Sequence, residues 1–204
     1  ATTLAAQGHD VYKKYSGPGG LKEEFEKTAK RHPLLTKLVS IGKTTRGQDI
    51  VAIKISAGAR QLPDGLRPSV LYIGAQHARE WITPEMNRRL MHYLLDNYTR
   101  KREIRELVNT RELWILPVAN PDGYDFTFEP GQRLWRKNLR DNNGDGQITP
   151  GDGVDLNRNL AYKWGYDNEG SSPDPSSETY RGPAPNSEPE TKAIDGFIRK
   201  HKFE

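Results

Sequence analysis

Cysteine does not occur anywhere in this 204-residue chain. That excludes disulfides, thiol nucleophiles and any zinc site built on thiolates, while leaving the compartment open. Long apolar runs are missing too. No stretch approaches the ~20 residues that a membrane span needs, and the mean hydropathy is -0.85, so no membrane partner is expected. A clustered basic stripe is also lacking. The net charge of +4 comes from 31 Lys and Arg spread among 27 acids. This pattern describes a solvated surface and gives no nucleic-acid footprint. The first residues, ATTLAAQGHD, contain no positive segment followed by an apolar core, so a signal peptide is not expected within the chain.

What is present fits an α/β fold of one domain, which this length can supply with a buried core. GGLKEEFEKTAKRHP (19–33) predicts a helix stopped by Pro33. KLVSIGKTTRGQDIVAIKIS (37–56) predicts two strands around a TTRGQD turn. SVLYIGA (69–75) and ELWILPVAN (112–120) are apolar runs of buried-strand length. TPEMNRRLMHYLLDNY (83–98) predicts a helix capped by Thr83, with Pro84 in the first turn and a face of Met86, Leu90, Tyr93, Leu94 and Leu95. Residues 121–186 are rich in Gly, Pro, Asn and Asp and read mostly as loops. SEPETKAIDGFIRKHKF (187–203) predicts a closing helix with Ser187 and Glu190 as a capping box. The alternation implies a mixed, largely parallel sheet with helices on both faces.

Only five histidines occur, and one of them, His77, stands three residues before Glu80 in GAQHAREWIT (74–83). The pair follows a predicted strand, and ligands of open α/β sheets gather beyond the carboxyl ends of strands. An imidazole and a carboxylate at such an exit can converge on one metal ion. They can equally form an ordinary surface hydrogen bond, and the pair alone leaves both readings open.

Longer stretches narrow the choice. PSVLYIGAQHAREWIT (68–83), NPDGYDFT (120–127), RLWRKN (133–138), VDLNRN (154–159) and DPSSETYRGPAPNSEPET (174–191) occur in that order. Together they resemble the carboxypeptidase A/B family of zinc metallocarboxypeptidases, from about Tyr15 to the end. The resemblance implies that His77 and Glu80 ligate zinc and that Arg79 lines the substrate groove. It implies that Arg136 polarises the scissile carbonyl and stabilises the oxyanion. Asn157 and Arg158 would grip the terminal carboxylate of a peptide or protein substrate. A guanidinium suits that task, because its planar fork matches a carboxylate with two hydrogen bonds. The family's third zinc ligand, its substrate-capping tyrosine and its general-base glutamate lie beyond the helix at 187–203. Residues 1–204 are therefore expected to be one catalytic domain truncated before the third ligand. His9, His32, His92 and His201 have none of the family context.

A second cation site is suggested by DNNGDGQITPGD (141–152). Asp141, Asn143, Asp145, Gln147, Thr149 and Asp152 fall at the ligand positions of a twelve-residue calcium loop, with Gly146 at the sharp turn. Asp at position 12 and helix-poor flanks depart from that pattern. The expected function is a secreted, zinc-dependent exopeptidase acting on C-termini. The alternatives are a non-catalytic peptide-binding module and an amidase on cell-wall peptides.

Overall fold

The structure is a computed structural model, and it describes residues 12–201 and 203. His9 lies outside the described residues. The elements follow in the order α1 (Leu21–Arg31), β1 (Thr36–Lys43), β2 (Asp49–Ile55), β3 (Ser69–Ile73), α2 (Ile82–Asn97), α3 (Arg102–Thr110), β4 (Glu112–Leu116), α4 (Pro121–Phe126), α5 (Leu156–Asn159) and α6 (Pro189–His201).

The strands lie in the order β1-β2-β4-β3. The sheet is mixed, as expected, but it is not largely parallel among the described residues. β1 pairs antiparallel with β2 and β2 with β4, and β3–β4 alone is parallel. Connection length explains this. The TTRGQD turn closes a hairpin through Thr44 N–H to the Gln48 carbonyl at 2.8 Å, with Gly47 at φ +82°. A tight turn joins only antiparallel strands. The β3-to-β4 connection carries α2 and α3, which is the crossover that a parallel pair requires.

Helices cover both faces. Alternate residues of β2 divide the core, because successive side chains of a strand point to opposite sides. Ile53 and Ile55 join Phe25 of α1, Met91, Leu94 and Leu95 of α2, and Ile104 and Val108 of α3 on one face. Ile50 and Ala52 join Trp114 and Leu116 of β4 with Ile194 and Phe197 of α6 on the other.

Helix α2 departs from expectation. Trp81 is its N-cap residue and no side chain caps it. Thr83 instead accepts from Ala75 N–H at 2.8 Å and donates to the Glu80 carbonyl at 3.0 Å. Met86 and Tyr93 are exposed, while Arg88 is buried between Glu24 and Glu85 at 2.8 and 3.1 Å. At α6, Glu190 does not close a capping box. Its buried carboxylate accepts from Thr45 N–H at 2.8 Å and from the Asn138 amide at 3.3 Å. Helix α3 was not anticipated in a polar stretch. Its Ile104, Leu107 and Val108 nevertheless have helical spacing, and two of them are buried.

Candidate active site

The loops leaving β3 and β4 run side by side at the ends of the one parallel pair. Ala119 N–H donates to the Gly74 carbonyl at 2.8 Å and Asn120 N–H to the Ala75 carbonyl at 3.1 Å. A side chain at Gly74 would collide with the Pro117 carbonyl and the Asn87 amide. The next residue, Ala75, holds φ +44°, a conformation that a non-glycine residue adopts at a cost. The Thr83 hydroxyl pins it there through its N–H. The chain thus turns sharply and delivers His77 just beyond the sheet. Ala78 N–H then donates to the Arg136 carbonyl at 3.0 Å, tying in the RLWRKN loop.

His77 is nearly buried and has a carboxylate on each ring nitrogen. Nδ1 lies 2.9 Å from Glu80 Oε1, and Nε2 lies 3.1 Å from Asp155 Oδ1. Asp155 is fully buried. Its Oδ1 also accepts from Asn157 N–H at 2.9 Å, capping α5, and its Oδ2 takes Nε and Nη2 of Arg136 at 3.1 and 2.7 Å. One carboxylate therefore orients both the histidine and the arginine. Burial alone would raise the Asp155 pKa, but the hydrogen bonds from His77 and Arg136, together with the Arg136 charge, hold it below its usual value. The hydrogen bond to Asp155 raises the His77 pKa, burial opposes it, and Glu80 adds to the rise.

The donor set suits zinc. Both partners are carboxylates, so a proton on each ring nitrogen satisfies them, in line with the raised His77 pKa. A metal ion can take the place of the Nδ1 proton between His77 and Glu80 while Nε2–H stays on Asp155. A metal-binding histidine characteristically gives its other N–H to a carboxylate.

The sequence profile of the zinc carboxypeptidase family matches residues 21–204. The chain belongs to the zinc carboxypeptidase family. A metallocarboxypeptidase A-like protein of Trichophyton verrucosum is 38% identical over 188 residues, covering 92% of this chain and 40% of the relative. Mast cell carboxypeptidase A of Rattus norvegicus is 32% identical over 194 residues, covering 95% and 44%. The solved carboxypeptidase A of Helicoverpa armigera superposes with a TM-score of 0.76 at 32% identity, over 97% of this chain and 47% of that one. The chain thus spans about 40% of the length of the curated relatives it matches.

Within this zinc carboxypeptidase fold the other expected residues are placed unevenly. Arg79 turns to the rim, where it meets Glu178 at 2.8 Å and the Leu134 carbonyl at 3.2 Å. Asn157 and Arg158 face a separate cavity of about 630 Å³ with Tyr162, Lys163, Trp164 and Tyr166. Arg158 is steadied there by the carbonyls of Gly170 and Asn157 at 2.6 and 3.1 Å. His92 lies elsewhere, 2.7 Å from Glu24, and His201 packs on Trp114. Among the described residues, no group of three His, Cys, Asp or Glu side chains is placed to hold a metal ion.

The calcium-loop residues are likewise not brought together. Asp141 accepts from Gly144 and Gly146 N–H at 2.6 and 2.8 Å, and Asn143 and Asp145 accept from Asp145 and Gln147 N–H. Asp152 binds the N–H and hydroxyl of Thr149 at 2.9 and 2.8 Å. The loop's own N–H groups bond these oxygens, and the Asn143 amide also donates to Asp145 Oδ2 at 3.0 Å.

Asp155 is the residue that sequence reasoning missed. A signal existed. It stands at the N-cap position before LNRN in VDLNRN, and a histidine offered as a zinc ligand calls for a carboxylate behind it.

Proposed function

We propose that the intact protein is a zinc-dependent exopeptidase that removes C-terminal residues from peptides and proteins. The observation that carries this reading is the convergence of His77 Nδ1 on Glu80 Oε1, with Asp155 behind the ring and Arg136 on the same carboxylate. His77 and Glu80 hold the metal. Zinc, when bound, supplies Lewis acidity to a scissile carbonyl and to water. Arg136 directs its guanidinium at the carbonyl oxygen, where negative charge grows in the transition state. Asn157 and Arg158 receive the terminal carboxylate, and Arg79 lines the approach. We place the protein outside the cell, in keeping with that family reading.

The test compares peptides that differ only at the C-terminus. The free acid is expected to lose its last residue, the amide to resist, and a chelator to stop the reaction until zinc is restored. Equal cleavage of acid and amide overturns the exopeptidase assignment.

Asp155→Asn is expected to weaken zinc binding by roughly 10–100-fold, the scale of a lost outer partner of a metal histidine. Competition against a chromophoric chelator measures it. Unchanged affinity in a variant that melts like the parent rejects the role.

We further propose that the 141–152 loop takes calcium, on the strength of its ligand spacing. Calcium would draw the oxygens of Asp141, Asn143, Asp145, Thr149 and Asp152 and the Gln147 carbonyl inward, ordering the loop that leads to Asn157. An affinity of about 10⁻⁴–10⁻³ M suits a helix-poor loop. Stability is then expected to rise by ~1.4 kcal/mol per tenfold of free calcium above Kd. Melts with calcium and with chelator on the parent and on Asp145→Ala check it, and identical curves in all four cases remove the site.

A further inference from the structure

Away from the active site, a groove of about 380 Å³ runs between β1 and α6. Lys37 and Ser40 wall it from the strand and Lys192, Lys200 and His201 from the helix, over Trp114. Its charge is one-sided. Among the described residues Asp64 is the acid on the lining, and both of its oxygens are already taken, by Lys37 and Lys54 at 2.7 Å each. Lys192 and Lys200 are exposed and have no acidic partner among the described residues. Two helical turns separate them, so they share one stripe of α6. Gly196 stands between them on that stripe, with open space where a side chain would be.

The directional element is His201. Its side chain is 4% exposed, and Phe197, Trp114 and Phe203 pack around the ring. Nδ1 lies 3.0 Å from the Phe197 carbonyl. A carbonyl only accepts, so Nδ1 carries a proton, and in the Nδ1–H tautomer Nε2 holds a lone pair. That nitrogen is buried and has no hydrogen-bond partner among the described residues, where Asp64 Oδ2 lies 3.8 Å away. Buried polar atoms are almost always paired. This one borders a groove rich in ammonium groups.

We propose that the groove binds a hydrogenphosphate group, free or as a monoester. The ligand must satisfy two demands together. It must be an anion, to pair with Lys192 and Lys200, and it must carry an O–H, to donate to His201 Nε2. Hydrogenphosphate does both. Sulfate offers the charge and the shape but no proton, and a metal cation is opposed by the surrounding lysines.

Calorimetric titration of the full chain with inorganic phosphate, and with sulfate at matched ionic strength, tests this. Phosphate is expected to bind saturably and sulfate at least ~10-fold more weakly, the scale of one hydrogen bond to a charged group. His201→Phe keeps a packed ring, removes Nε2 and should abolish the preference. Lys192→Gln combined with Lys200→Gln touches only exposed side chains, so the fold persists, and it should weaken phosphate and flatten its salt dependence. No saturable phosphate binding, equal binding of the two anions, or a double lysine variant that binds like the parent each overturns the proposal. Phosphoserine, added as a competitor near pH 6 where its phosphoryl group is partly protonated, separates the sources. Competition points to a monoester and its failure to the free ion, and both results require that the site exists.

Discussion

Alanine at His77 or at Glu80 is expected to remove zinc-dependent turnover in the intact enzyme, by ~10³-fold or more in kcat/KM. That is the size of losing the several kcal/mol that a Lewis-acid metal contributes to a transition state. The fold should survive. Glu80 is 45% exposed at its side chain, so truncation uncovers little apolar surface. Loss of the His77 ring leaves Asp155 still neutralised by Arg136 at 2.7 Å, which avoids an unpaired buried charge. Steady-state kinetics, zinc content and melting curves on the same preparations check all three points. A variant that keeps both its zinc and its turnover would remove this pair from the metal site.

The sequence revealed those features that depend on local pattern. Strand β2 was readable because its apolar, β-branched run is buried on both faces. The β1–β2 hairpin was readable because a glycine-bearing polar turn separates two β-branched runs. What failed to show depends on contacts between distant residues. Thr83 looks like a helix cap, yet its hydroxyl is committed to Ala75 N–H, freed by a sharp bend that no pattern announces. Arg88 looks like a solvent residue, yet Glu24, 64 positions away, makes its burial tolerable. A charge pattern on one helix cannot disclose a partner on another.

The site divides along the same line. His77 and Glu80 were legible because three residues separate them. Asp155 was not, because it reaches His77 across 78 positions and its role exists only once the two loops meet. The parallel share of the sheet was overestimated for a related reason. Alternating elements suggest crossovers, but the 56–68 connection from β2 to β3 contains no helix, so nothing carries the chain back for a parallel start.

Arg136 and Arg158 are expected to fail in different ways when each is replaced by alanine. Arg136 is anchored on one edge: Nε and Nη2 both bind Asp155 Oδ2, at 3.1 and 2.7 Å. The other oxygen of Asp155 holds His77 Nε2 at 3.1 Å, so the same carboxylate fixes the guanidinium next to the histidine ring. A cation held this way acts on charge that appears only as the carbonyl is attacked, so it favours the transition state over bound substrate. Arg136→Ala should therefore lower kcat by roughly 10²–10³, the scale of one oxyanion donor, with KM little changed. Arg136→Lys should recover little, because an ammonium cannot grip Asp155 and face the substrate through one planar fork. Arg158 sits in the neighbouring cavity and is tied to the Gly170 and Asn157 carbonyls. On the proposed function it meets a carboxylate already present in the ground state, so its loss should raise KM for peptide acids and leave kcat near the parent value. Peptide amides, with no carboxylate to hold, should not register the change. Kinetics of both variants on matched acid and amide peptides separate the roles. If each variant altered only KM, and equally for acid and amide, the anchoring of Arg136 on Asp155 would have no catalytic meaning.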